Sequence, residues 1–421
     1  MMDLETLTWG IAGLATFGVI VRPFGLPEYL WAVLGAGTLV LAGLLPWRDA
    51  LAAAAKGTDV YLFLVGMMLL AEVARKEGLF DWLAALAVRA ARGSAKRLFL
   101  IVYGVGTLVT IFLSNDATAV VLTPAVYAAT TAARVQPLPY LLICAFIANA
   151  ASFVLPISNP ANLVLFGQHM PPLATWMAQF TLPSIVAIVA TYLILRFTQR
   201  RALDQQVAET ASAPPLSWGG VCIAVGIGLT AVLLLAASAV DWPLGLPTFL
   251  AGLAVTIAVL ALSRQSPILI ARDISWGVLP LVAGLFILVE AAERTGLLSF
   301  LITLLQQATA VSPRSAAFDA GLVAALASNL LNNLPTGLIA ATVSQSAELP
   351  LQVRSALVIG VDLGPNLSVT GSLATILWLT ALRREGEVVT AWQFLKLGMV
   401  IMPPALVLAL GALVWLSPAS F

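Results

Sequence analysis

The chain has 421 residues, 60% of them hydrophobic and 10% charged, with a mean hydropathy of +0.99 and a formal net charge of +1. Soluble domains carry about 25% charged residues, so this composition belongs in a bilayer. It leaves no room for a sizeable soluble domain such as an ATPase, and the near-neutral charge offers nothing to a nucleic acid. Apolar stretches of about 20 residues cross a ~30 Å hydrocarbon core, and they predict spans at about 7–22, 29–46, 60–75, 139–168 (interrupted) and 173–196. A polar linker follows at 197–217, and the second set falls near 218–238, 243–263, 276–292, 355–381 (interrupted) and 393–416. The first span follows Met1 to Thr8, which lack the basic start and cleavage site of a signal peptide. Two further segments, about 98–133 and 315–347, break at polar residues in their middles and are expected as re-entrant helical hairpins.

These elements predict an all-α polytopic membrane protein with two inverted repeats, 1–196 and 218–421, each of five spans plus a hairpin. Five is odd, so the second repeat enters the membrane upside down. Placing the linker in the cytoplasm puts 16 of the 21 basic residues on its side and leaves Arg48, Lys56, Arg294, Arg314 and Arg354 outside, as the positive-inside rule requires. Both termini then lie outside. A shift of 218 residues pairs Gly66, Glu72 and Gly78 with Gly284, Glu290 and Gly296, and Asn115 with Asn333. Glu and Asn are scarce here, so these matches carry weight. Repeats of this kind place a transporter's site between them at the midplane.

Four polar breaks are candidates for that site: the tips Ser114-Asn115-Asp116 and Asn332-Asn333, and the interruptions Asn149 to Asn162 and Asp362 to Thr375. Backbone that leaves helical geometry in a bilayer must line a wet cavity or be buried in protein. The plain alternative for an isolated Asn or Ser, such as Ser152, is a helix-helix hydrogen bond worth about 0.6 kcal/mol. Four breaks shared between two halves go beyond it. Asp116 and Asp362 are the candidate proton-coupling acids, because a carboxylate in a membrane core must pair or protonate. Glu72 and Glu290 are weaker candidates, since Arg75 and Arg294 stand one turn away and predict local pairing. Asp319 and His169 are expected near the outer surface, the Arg89 to Arg97 cluster at the cytoplasmic edge, and tryptophans near span ends as interfacial anchors. Cys144 and Cys222 are expected as small apolar fillers, with no disulfide, metal or cofactor.

"LSNDATAVVLTP" resembles the hairpin signature of the ion transporter superfamily, and "NNLP" followed by "DLGPNLSVTGSLATILWL" resembles its ArsB-type arsenite efflux permeases. The resemblance implies export of arsenite, and antimonite, across a bacterial inner membrane in exchange for protons, with an optional soluble arsenite-stimulated ATPase partner. Carried onto this chain, it implies a site of Ser114, Asn115 and Asp116, with Asn332 and Asn333 on the other tip. The interruptions add Asn149, Ser158 and Asn159 from one half and Asp362, Asn366, Gly371 and Ser372 from the other. The family places an acid where this chain has Asn149, which shifts the coupling role onto Asp116 or Asp362.

Arsenite near neutral pH is an uncharged trihydroxide, which amides, hydroxyls and helix ends can hold without full charges. Two separated cysteines cannot build a thiolate trap for it. A sodium/proton antiporter or sodium-coupled carrier of small carboxylates is the alternative, yet no Lys or Arg lies in any break to receive a di-anion. An intramembrane aspartyl protease would need its two aspartates on facing helices, and a channel would not need two interrupted halves.

Overall fold

The computed structural model describes residues 4–167, 170–208, 215–240, 242–263 and 266–416. His169, Arg264 and the linker residues 209–214 lie outside the described residues. Regular structure among the described residues is helical, and a single bridge joins Ser94 to Gln206. Six helices are long and apolar enough to cross a membrane, and the bent pair Trp47–Lys56 and Thr58–Lys76 adds a seventh when counted as one span. Shorter apolar helices, among them Glu28–Leu41 and Leu138–Ala150, pack between them. This is a multi-pass membrane protein.

One order of elements occurs twice. From Thr58 the chain runs through Thr58–Lys76, Leu79–Ala91 and Ala95–Leu113, breaks at Ser114, returns to helix as far as Ala132, and continues with Leu138–Ala150, a second break, Pro160–Phe166 and Leu173–Thr198. From Val278 it runs through Val278–Glu293, Leu297–Val311 and Pro313–Leu331, breaks at Asn332, and continues with Asn333–Ser346, Leu351–Leu363, another break, Leu373–Arg384 and Ala391–Leu416. Local chemistry repeats with it. Ser94 and Ser312, 218 residues apart, both cap 19-residue helices, accepting from the backbone N–H of Arg97 and of Ser315 at 3.3 Å. Such caps satisfy donors that a helix start leaves open.

Four helices fall outside the spans expected from hydropathy: Trp47–Lys56, Leu79–Ala91, Pro267–Asp273 and Leu297–Val311. Each is too short or too charged to read as a crossing. Leu79–Ala91 packs against both arms of the first tip and Leu297–Val311 against both arms of the second, so each tip stands on a helical prop. The linker's first part also bears on the first arm pair: Val207 and Ala208 donate to the carbonyls of Gly93 and Ala133 at 3.0 Å.

The helix Thr58–Lys76 crosses Gly245–Ser263 at glycines. A Cβ at Gly66 would sit 2.4 Å from the Thr248 carbonyl oxygen, and one at Gly252 2.5 Å from that of Gly66. Small residues let backbones approach this closely in membrane bundles. Two tryptophans depart from the interfacial expectation. Trp176 and Trp378 are fully buried, and their indole N–H groups donate to the carbonyls of Phe153 and Val154 (3.2 Å) and of Leu141 (2.8 Å). The open carbonyls around a broken helix need donors, and an indole supplies one with a large apolar body. Trp47, Trp218, Trp392 and Trp415 are exposed near helix ends.

Candidate functional site

Each tip turns on one residue with a left-handed φ: Ser114 at φ 99° and ψ 161°, Asn332 at φ 79° and ψ 155°. This backbone is sparsely populated by non-glycine residues and persists where its surroundings hold it, commonly at functional sites. The turn places the next residue, Asn115 or Asn333, in the interior, where both are buried.

Asn115, Asp116, Asn159 and Asn333 line one small pocket together with Leu64, Val278 and other apolar side chains. Residues from both tips and from the first interruption therefore meet. The pocket is narrow, with room for about one water between its atoms. Its polar atoms are unequally engaged. Asn159 is spent on structure: its Oδ1 caps Ala161 N at 3.0 Å and its Nδ2 donates to Asp362 Oδ1 at 2.7 Å. Asn115 Oδ1 accepts from Asp116 N at 2.9 Å, leaving its amide nitrogen for the pocket. Asn333 Oδ1 is buried without a partner. An unsatisfied buried acceptor costs about 1–3 kcal/mol, and Asn333 Oδ1 shares this state with Asn149 Oδ1 and Asp362 Oδ2 but differs from them in belonging to a residue of the pocket wall. Asp116 is half-buried, and no ion pair reaches it among the described residues.

The other expected residues do not line this pocket. Ser114 lines the adjoining cleft. Ser158 Oγ donates to Ile111 O at 3.0 Å. Asn332 Nδ2 donates to Thr370 O at 3.1 Å, and Asn333 N to Gly371 O at 2.8 Å. Asn149 Nδ2 reaches Asn366 Oδ1 at 3.0 Å and Thr375 Oγ1 at 3.3 Å, while Ser372 Oγ lies 2.9 Å from Thr375 Oγ1. Asp362 is fully buried behind Asn159 and does not line the pocket.

Glu72 and Glu290 mark two clefts instead. Spaces follow one another along the helix Thr58–Lys76: Thr58 to Leu62 face a wide cleft shared with Glu290, Glu293 and Thr342, while Phe63 to Glu72 face a narrower cleft that ends at Asp273 and shares Leu64, Asp116, Pro160 and Val278 with the pocket. At 1.5 Å per residue, Thr58 to Glu72 covers about 21 Å, and the pocket lies near the middle of that length, adjoining the Glu72 cleft. Arg75 clamps Glu72 with two bonds of 2.5 and 2.9 Å, and Lys76 binds Asp273. At the other end Lys56 holds Glu290 at 2.6 Å, closer than Arg294 at 3.8 Å, and Arg294 pairs with Asp49 at 2.7 Å. Sequence spacing pointed to Arg294; it carried no signal for Lys56, 234 residues away. Asp319 is exposed.

A small pocket with four polar side chains, set beside clefts inside a multi-pass helical bundle, fits a membrane transporter. Residues 17–361 match the family model described as citrate transporter, and the chain belongs to that family. Its relatives include an arsenical pump membrane protein of Escherichia coli, 26% identical over 94% of this chain and 95% of that one. A putative arsenical pump membrane protein of Bacillus subtilis is 24% identical over 94% and 96%. Among solved structures, the YdaH transporter of Alcanivorax borkumensis shares the fold with a TM-score of 0.57 and 19% identity over 88% of this chain and 87% of that one. MtrF of Neisseria gonorrhoeae, from a class described as antimetabolite efflux pumps, gives 0.51 and 14% over 99% and 94%.

Proposed function

We propose that the protein exports trivalent metalloid hydroxides, arsenite and antimonite, from the cytoplasm in exchange for protons. Asn115 and Asn333 hold the solute once the pocket, which here has room for about one water, widens toward a cleft; Asp116 exchanges the proton, and the two clefts serve alternately as entrance and exit. In this reading the repeats are inverted, the tips are re-entrant, the linker faces the cytoplasm and both termini lie outside. The observation that carries it is the character of the pocket: amides, one carboxyl and an unpartnered carbonyl oxygen, with no Lys or Arg on its wall. A neutral trihydroxide brings both donors and acceptors to such a wall. Its three O–H groups meet Asn333 Oδ1 and Asp116, and its oxygens accept from the Asn115 amide.

A citrate or other carboxylate carrier is the second reading, favoured by the description of the family model. Against it stands the charge of the ligand. A di- or trianion beside Asp116, with no cation on the wall, is repelled where the dielectric is low. Export of a neutral solute against an inward proton moves one net charge, so the membrane potential adds about 2.3 kcal/mol per 100 mV to the driving force.

The test is uptake into everted membrane vesicles, with arsenite, antimonite, citrate and sodium compared in parallel. Arsenite uptake that a protonophore abolishes is expected, and Asp116→Asn should reduce it to background while the protein remains in the membrane at normal level. Citrate uptake without arsenite uptake would reverse the choice between the two readings.

A further inference from the structure

The breaks repeat with a different offset from the tips. Leu138–Ala150 and Leu351–Leu363 are both 13 residues long, and their penultimate residues, Asn149 and Asp362, lie 213 apart. The same offset relates Asn159 to Ser372, the caps of the half-helices Pro160–Phe166 and Leu373–Arg384; both are extended, with φ of −149° and −141°. The hydrogen bonds then cross between the halves. Asp362, in the second half, holds the cap Asn159 of the first at 2.7 Å. Asn149, in the first half, holds Asn366 and Thr375 of the second, and Thr375 in turn contacts the cap Ser372. Each half thus supports the start of the other's second half-helix from the same structural position.

We infer that Asp362 is a positioning residue that fixes Asn159 at the pocket wall, and that it does not carry the exchanged proton. Three observations converge. Asp362 does not line the pocket, whereas Asn159 and Asp116 do. Its Oδ1 is engaged with the amide that Asn159 leaves over after capping Ala161, and its Oδ2 is buried without a partner, away from the pocket wall. At the equivalent position a residue that does not titrate, Asn149, makes the reciprocal brace with the opposite polarity, its Nδ2 donating where Asp362 accepts. The bond from Asn159 Nδ2 needs only a carbonyl-type oxygen, which Asn offers as well as Asp. No Lys, Arg, Asp or Glu pairs with Asp362 among the described residues. This inference rests on the proposed transport site and refines one of its residues.

The experiment uses the full-length protein in everted vesicles and measures KM, maximal rate and pH profile for whichever solute the wild type carries. Asp362→Asn should keep the wild-type pH profile, with KM within about threefold. Asp362→Ala and Asn159→Ala should each raise KM about tenfold, the effect of one lost hydrogen bond, with a smaller change in maximal rate. The double variant should be no worse than Asn159→Ala alone, because both remove the same support. A flattened pH profile or lost proton dependence in Asp362→Asn, or additive effects in the double variant, would overturn the inference. Should Asp362→Ala fail to accumulate, the pH profile of Asp362→Asn decides alone. All variants are read relative to wild type, so a wild type that carries citrate overturns the arsenite reading without touching the role of Asp362.

Discussion

The two tips share a backbone and differ in what holds them. Behind the second tip, Asn329 Nδ2 donates to Gly364 O at 2.9 Å, Asn329 Oδ1 accepts from Ser368 Oγ at 2.7 Å, and Thr370 Oγ1 donates to Asn329 O at 3.2 Å. Asn332 and Asn333 add their own bonds to Thr370 and Gly371, so this tip and the break of its own half form one stitched surface. The first tip has a single side-chain bond of that kind among the described residues, from Ser158 to the Ile111 carbonyl. Beyond it the chain passes through a π-helical turn, Thr118–Leu122, whereas the second continues as regular helix from Asn333 to Ser346. π-turns inside helices are rare and concentrate at functional sites. The charge is placed accordingly: Asp116 sits on the loosely held tip, and Leu334, 218 residues on, occupies its place on the stitched one. Under the proposed exchange of solute for proton, a fixed surface and a responsive one would face each other across the pocket, and Asp116 would shift without dragging the whole wall.

That contrast is broken most severely at Gly371. A Cβ there would lie 2.5 Å from Pro365 Cα and 2.8 Å from Asn329 Oδ1, and backbone cannot yield as a flexible side chain does. Gly371→Ala should lower stability by about 1–3 kcal/mol and push the Asn333 tip out of register. The check is a thermal melt of purified protein beside vesicle uptake; a fall in melting temperature with transport down at least about tenfold is expected. A variant with wild-type uptake would show that the stitched surface is not the fixed reference.

Asn329→Ala comes next. It removes the side-chain bonds to Ala325 O, Gly364 O and Ser368 Oγ. At roughly 1 kcal/mol for each bond, a loss of about 2–3 kcal/mol is expected, together with a weaker apparent affinity because Asn333 loses its backing. Affinity measured from the concentration dependence of uptake separates this from simple instability, which would lower the amount of active protein and leave KM unchanged. The residue 218 positions earlier is Ile111, which offers the first tip only its carbonyl.

How much of this the sequence could show follows from what each feature depends on. Spans and breaks were legible because Asn, Asp and Pro stand out in an apolar background, and the helices flanking the tips, Ala95–Leu113 and Pro313–Leu331, start within three residues of the expected 98 and 315. The convergence of Asn115 and Asn333 on one pocket was expected from the 218-residue shift. The bracing of Asn159 by Asp362 was not, since it depends on a crossing between halves with its own 213-residue offset, and a carboxyl looks the same in sequence whether it faces the pocket or lies behind it. Trp176 and Trp378 were misplaced for a related reason: tryptophan serves equally as an interfacial anchor and as a buried donor, and the open carbonyls that decide between these appear only once the broken helices are assembled. The props Leu79–Ala91 and Leu297–Val311 escaped because a hydropathy window looks for crossings.

The smallest effect is expected at Ser158, and its size is what tests the comparison. Ser158 is the counterpart of Gly371 under the 213-residue offset of the breaks, so the two positions ask the same question of the two halves. In the second half Pro365 of the break and Asn329 of the tip's arm lie so close that no side chain fits; in the first, a serine fits, makes one bond of 3.0 Å to Ile111 O and accepts one of 3.2 Å from Leu155 N. Ser158→Ala keeps the Cβ and removes only the hydroxyl, so about 1 kcal/mol of stability should be lost. The KM for the transported solute should move by less than about threefold, because the pocket residues of the first tip, Asn115 and Asp116, do not bond to Ser158. A shift in the pH profile of transport is the informative outcome to look for alongside it. If removing this one tie alters how Asp116 responds to pH, the first tip is held as tightly as the second and the division between a fixed and a responsive surface is wrong. If the profile stays in place while Gly371→Ala abolishes uptake, equivalent positions in the two halves carry unequal constraint, as a wall with one moving side demands.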